Sequence, residues 1–114
     1  MYMPQTIQSL VEQYVACIKE IYGAHLREVI LYGSYARGDY NAESDVDIMI
    51  LLDLTDYDIK GYRHQLSDAT FEFNMGHDMD IKPIAKNLEH FERWTENYPF
   101  YANVKREGIT LYAA

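Results

Sequence analysis

Between residues 5 and 22 apolar side chains recur at helical spacing, with Ile7, Leu10, Val11, Tyr14, Val15, Ile18 and Ile21 on one stripe. Gly23 follows as a helix C-cap. The periodicity then changes. Glu28 to Tyr32 is a short apolar run broken by Gly33 and predicts a buried strand, and Val46 to Leu52 predicts a second, parallel or antiparallel to the first. Residues 34–38 suit a short helical turn and residues 39–44 a polar loop. From Thr55 to Phe73 the pattern is mixed: Tyr57, His64, Leu66 and Phe71 fit a helix that Gly61 weakens. Met79 to Ile84 alternates apolar and polar residues and predicts a third strand ending at Pro83. Asn87 is placed to cap a helix through Leu88, Phe91, Trp94 and Thr95, stopped by Pro99. A short helix over residues 102–107 and a strand over 109–112 complete the chain. Interspersed helices and strands predict an α/β (α+β) fold, a small mixed β-sheet flanked by helices, with residues 1–114 as one domain.

Composition changes this picture little. Hydrophobic residues are 48% and charged residues 25%, ordinary for a globular chain that can build a core. Apolar runs stay short of the roughly eighteen residues a membrane span needs, so no membrane association is expected. The N-terminal stretch has no basic region followed by an apolar one and reads as an amphipathic helix, not a signal peptide. Cys17, the single cysteine, has no partner for an internal disulfide, which points to a cytoplasmic setting and an inert packing role. A net charge of −8 repels nucleic-acid backbones and disfavours non-specific binding to them, but leaves open a phosphorylated ligand carried in with a cation. The 11 tyrosines suit half-buried core and rim positions, and tyrosine is also enriched at protein interfaces.

Candidate chemistry is concentrated in Gly33-Ser34-Tyr35-Ala36-Arg37-Gly38 and Ser44-Asp45-Val46-Asp47. A strand that ends at Gly33 can bring backbone N–H groups close to a phosphate, Ser34 adds a hydroxyl, and a helix opening there directs its N-terminus at the anion. Arg37, a turn further on, can reach a phosphate or brace the loop by ion pairing. Asp45 and Asp47 are two apart, so on a strand their carboxylates face the same way and repel unless a cation lies between them. Magnesium, bound by carboxylates together with substrate phosphates, meets that need. Asp80, on the predicted third strand, can complete the cluster.

These two segments resemble the GSxARG…SDxD signature of the DNA polymerase β-like nucleotidyltransferases, and are most similar to its minimal branch; the likeness covers essentially the whole chain. The resemblance implies a nucleotidyltransferase, polymerase β palm-like fold. It also implies that Asp45 and Asp47 hold the catalytic divalent ions while Gly33 and Ser34 hold the triphosphate. A third acidic residue is expected on a later strand between apolar neighbours. Asp80, in Met79-Asp80-Ile81, fits that context, with Asp78 two residues earlier as its competitor. The implied reaction is transfer of a nucleotide, AMP from ATP, to a protein hydroxyl with release of pyrophosphate. Members of this branch pair with HEPN-type ribonuclease toxins as their antitoxins. Two other readings stand beside it: a non-catalytic module that masks its partner sterically, and a small-molecule nucleotidyltransferase.

Blander readings hold elsewhere. The glycine-rich segment is neither a P-loop nor a dinucleotide fingerprint, because no Lys-Ser/Thr follows Gly38 and the middle glycine is missing. His25, His64, His77 and His90 lack zinc-ligand spacing, although His77 adjoins Asp78. Phe91 and Trp94 read as core, Lys105 and Arg106 as a solvated helix end, and Lys82 as a partner for a phosphate or a carboxylate.

Overall fold

The computed structural model describes residues 5–114. In chain order the elements are α1 (Gln5–Tyr22), a 3-10 turn (Gly23–His25), β1 (Leu26–Tyr32), α2 (Ser34–Arg37), β2 (Val46–Leu52), α3 (Asp56–Gly61) and α4 (Arg63–His77). Then follow β3 (Ile81–Asn87), α5 (Leu88–Trp94), α6 (Pro99–Glu107) and β4 (Ile109–Ala113). The strands form one mixed sheet in the order β3-β2-β1-β4, so the expected fold class holds. β1 is antiparallel to both β2 and β4, and β2 runs parallel to β3 through the α3–α4 crossover.

Helices cover both faces of the sheet. On one face Ile48, Ile50 and Leu52 of β2 pack with Val11, Tyr14 and Ile18 of α1 and Phe73 of α4. On the other, Met49 and Leu51 pack with Ile30, Phe91, Tyr101 and Val104. A central strand buried on both sides must be apolar almost throughout, which is why β2 reads as a continuous run and not as an alternation. The alternation survives in where side chains go. Residues 47, 49 and 51 share the α5–α6 side, which places Asp47 at the open end of the smaller core.

Three stretches differ from the sequence expectation. β3 does not stop at Pro83 but continues to Asn87, because it is the edge strand and can carry a residue without an N–H. The mixed stretch is two helices, with Gly61 closing α3 and α4 running on to His77. Pro99 opens α6 instead of only ending the helix before it; its missing N–H is harmless in a first turn, and α5 has already finished at Trp94. Asn87 caps α5 as expected, accepting the His90 N–H at 2.7 Å.

Candidate active site

β1 ends at Tyr32, and Gly33 turns the chain into α2 with φ 79° and ψ −155°, a region open essentially to glycine alone. The Gly33 carbonyl accepts the Ala36 and Arg37 N–H groups, each at 3.1 Å, closing the single turn of α2. The N–H groups ahead of Ala36 have no carbonyl to reach within so short a helix, so the turn presents donors suited to a phosphate. Gly38 then takes the left-handed conformation, φ 87°, and its N–H caps Ser34. The following loop is held by its own polar groups. Asn41 N–H donates to Ser44 Oγ at 2.9 Å, and Asn41 Oδ1 accepts the Glu43 N–H at 2.8 Å. Tyr35 and Tyr40 stack with centroids 4.4 Å apart beneath it. Ser44 of the second motif segment therefore shapes the entry into β2.

Gly33, Ser34, Arg37, Asp45 and Asp47 line one open cleft of about 430 Å³. Its other wall comes from Tyr32 and from Phe100, Asn103, Val104 and Glu107 of α6. Asp47 sits beside Tyr32 in the β1–β2 register and is partly buried, whereas Asp45, just before the strand, is exposed. Burial, and next the charge of Asp45, raise the Asp47 carboxyl above the usual carboxylate range, with Arg37 and Lys82 acting in the opposite sense. Asp45 is raised as well, first by a hydrogen bond shared with the Asp80 carboxyl. Tyr32 is pushed up to about 12 by burial and by Asp47, so its phenol stays neutral.

Asp80 precedes β3, where its carbonyl accepts the Val46 N–H at 2.9 Å; this fastens it beside the start of β2. Its carboxylate also lies 3.6 Å from Lys82 Nζ. Asp78 is placed differently. It is not two residues back on the same strand face but at the C-cap of α4, in the left-handed conformation, because the helix runs further than its sequence suggests. The neighbouring His77 stacks on Phe73 at 4.1 Å and pairs through Nδ1 with the Phe73 carbonyl. Arg37 braces the turn: its guanidinium is 3.3 Å from Asp39 and 3.6 Å from Glu107, tying α2 to the end of α6.

The comparisons with known proteins bear on this site. The nucleotidyltransferase domain family model matches residues 11–106, a span that contains both motif segments, Asp80 and most of α6. The chain belongs to the nucleotidyltransferase domain family. A Methanocaldococcus jannaschii protein named "putative protein adenylyltransferase" is 33% identical over 105 residues, 92% of this chain and 97% of its own. A chain from a crystal structure of a toxin–antitoxin with AMP-PNP superposes with a TM-score of 0.56 at 19% identity, covering 90% of this chain and 73% of that one. A chain from the tri-AMPylated Shewanella oneidensis HEPN toxin in complex with MNT antitoxin gives 0.51 at 18% identity, covering 94% and 73%. At such identities these two structures speak for the fold, which is that of a minimal nucleotidyltransferase.

For this nucleotidyltransferase the donor set fits a divalent cation of the magnesium type. Among the described residues no three acidic, histidine or cysteine side chains form a closed ion cage by themselves. Two aspartates share a cleft wall, Asp47 raised above its usual range by burial and the charge of Asp45, and Asp45 by its hydrogen bond with Asp80, a repulsion that a cation would relieve. Magnesium commonly takes one or two carboxylates and completes its shell with substrate phosphates and water. The α6 wall was not anticipated from the sequence. The signal was there in Phe100, Asn103 and Glu107 at helical spacing behind Pro99, but a helix begun at residue 102 leaves Phe100 outside it.

Proposed function

We propose that residues 1–114 act as a single cytoplasmic nucleotidyltransferase domain that moves AMP from ATP to a hydroxyl of a protein partner, and that the partner is a HEPN-type toxin. The observation that carries this reading is the meeting of the Gly33-Ser34 turn and the Asp45/Asp47 pair in one cleft, with the Asp80 carboxyl next to that of Asp45. The adenylyl group and the protein acceptor are supported by the name of the M. jannaschii relative. The toxin partner is supported by the toxin–antitoxin structures that share the fold.

In this reading the Gly33-Ser34 turn binds the triphosphate through N–H groups and the Ser34 hydroxyl, and Arg37 adds positive charge at the same turn. Asp45 and Asp47, with Asp80, hold magnesium. When bound, the cation neutralises the phosphate charge that builds up in transfer. Asp80 takes the proton of the acceptor hydroxyl as its oxygen bonds to the α-phosphorus; the bond from that phosphorus to the bridging oxygen breaks and pyrophosphate leaves. The cleft is open, so the acceptor arrives on a macromolecule that covers it.

The test is incubation with α-labelled ATP, magnesium and a HEPN-type toxin as the candidate partner. Label on the partner, lost with Asp47→Ala, is the expected result. Full neutralisation of the partner by an Asp45→Ala/Asp47→Ala double variant, with no label transferred by the wild type, would replace it with steric masking.

A further inference from the structure

We propose that Phe100 is the platform on which the nucleobase stacks and that Asn103, one turn later, reads its edge in favour of adenine. The inference rests on a triphosphate occupying the Gly33-Ser34 turn and adds a base subsite to it.

Phe100 is a large apolar side chain left 44% exposed on the wall of a cleft otherwise rich in polar groups. It is not loose. Its ring meets Tyr32 edge to face, with centroids 5.6 Å apart and planes at 79°, and packs near Tyr101 at 6.0 Å. An edge-to-face contact engages at most one face of the Phe100 ring, and with the side chain 44% exposed aromatic surface remains for a flat heterocycle to cover. Pro99 at the start of α6 fixes the backbone beside it, and the Arg37–Glu107 pair joins the far end of the same helix to the phosphate turn. Platform and phosphate turn therefore line the same cleft as Asp45 and Asp47, with one ion pair linking the helix that carries the platform to the turn.

Asn103 Oδ1 accepts from Arg106 at 2.6 Å, a contact that favours the amide orientation with Nδ2 free. Its Nδ2 hydrogens can then donate to a ring nitrogen, while the second lone pair of Oδ1 can accept from an exocyclic amine. That donor–acceptor pairing is the one asparagine makes with adenine N7 and N6. Guanine would set its O6 acceptor against Oδ1, and pyrimidines offer a smaller face to Phe100.

The experiment is calorimetric titration of the whole chain with magnesium complexes of ATP, GTP and tripolyphosphate. Wild type, Phe100→Leu, Phe100→Trp and Asn103→Leu are compared, with thermal melting to show that each is folded. Phe100→Leu keeps the apolar contact with Tyr32 but removes the aromatic face. It is expected to weaken ATP binding about fivefold or more while leaving tripolyphosphate unchanged. Phe100→Trp restores ATP, and Asn103→Leu erases the preference for ATP over GTP. Equal ATP affinity in Phe100→Leu and wild type overturns the platform, as does an equal loss for tripolyphosphate. If the wild type binds none of the three ligands, the triphosphate site itself is wrong and the base subsite falls with it.

Discussion

A Cβ atom built on Gly33 would overlap Asp47 Oδ2 and lie 3.2 Å from its Cγ. The turn that ends β1 and the aspartate on β2 are thus packed directly against each other, glycine and carboxylate as one unit. Two separate demands fall on Gly33: the space taken by Asp47, and a backbone conformation that other residues enter only under strain. Gly33→Ala is expected to cost about 1–3 kcal/mol, visible as a fall in melting temperature of roughly 4–8 °C per kcal/mol. Adding Asp47→Ala removes the overlap but not the strain, so part of the loss should return. A double-mutant cycle would show a coupling of about 0.5–3 kcal/mol. Strictly additive losses would mean that the Cβ finds room elsewhere.

Asp45 and Asp47 both have folded values above the ordinary 3.8, so between that value and their own the folded protein binds more protons than the unfolded chain. Their favourable contribution is complete below the ordinary value and is lost as pH rises through the folded ones. At neutral pH the ionised pair repels. Asp47→Asn is therefore expected to melt slightly higher than the wild type at pH 7 without magnesium, with the gap closing toward pH 4. The same substitution should lower transfer on the order of a hundredfold. Melting curves across pH, paired with a label-transfer assay, would expose a purely structural aspartate as a loss of both.

Magnesium with a triphosphate should reverse that sign. Ligand bound only to the folded state stabilises by mass action, about 2.7 kcal/mol at a hundredfold excess over Kd. The melting temperature of the wild type should rise with magnesium-ATP, fall back on addition of a chelator, and stay unmoved in an Asp45→Ala/Asp47→Ala double variant. An equal rise in that double variant would place the ligand away from the cleft.

Far from the cleft, Tyr14 and Thr70 share a buried hydrogen bond of 2.7 Å between α1 and α4. Burial pushes the Tyr14 phenol well above its usual range, so it remains a neutral hydroxyl that needs a partner. Thr70→Val leaves that hydroxyl unpaired at a cost of about 1–3 kcal/mol, whereas Tyr14→Phe/Thr70→Val removes both partners and should be milder. Denaturant titration of the two variants separates a paired hydroxyl from simple packing.

Much of this protein is decided locally, and that part was legible along the chain. The stripe of α1, the buried run of β2 and the Gly33-Ser34 turn ahead of Asp45 and Asp47 follow from side-chain periodicity and backbone restriction within a few residues. The rest depends on which strand lies beside which. Pro83 is tolerated because β3 is an edge, and edge position cannot be read from its own residues. Asp80 and Asp78 are alike in sequence, yet helix α4 takes Asp78 as its cap while the backbone pairing with Val46 sets Asp80 beside Asp45. The α6 wall reaches the cleft only because Tyr101 and Val104 bury themselves on the same sheet face as Met49 and Leu51, carrying Phe100 and Asn103 with them. Such placements come from burial shared by residues distant in sequence, a free energy that exists only once the sheet has formed.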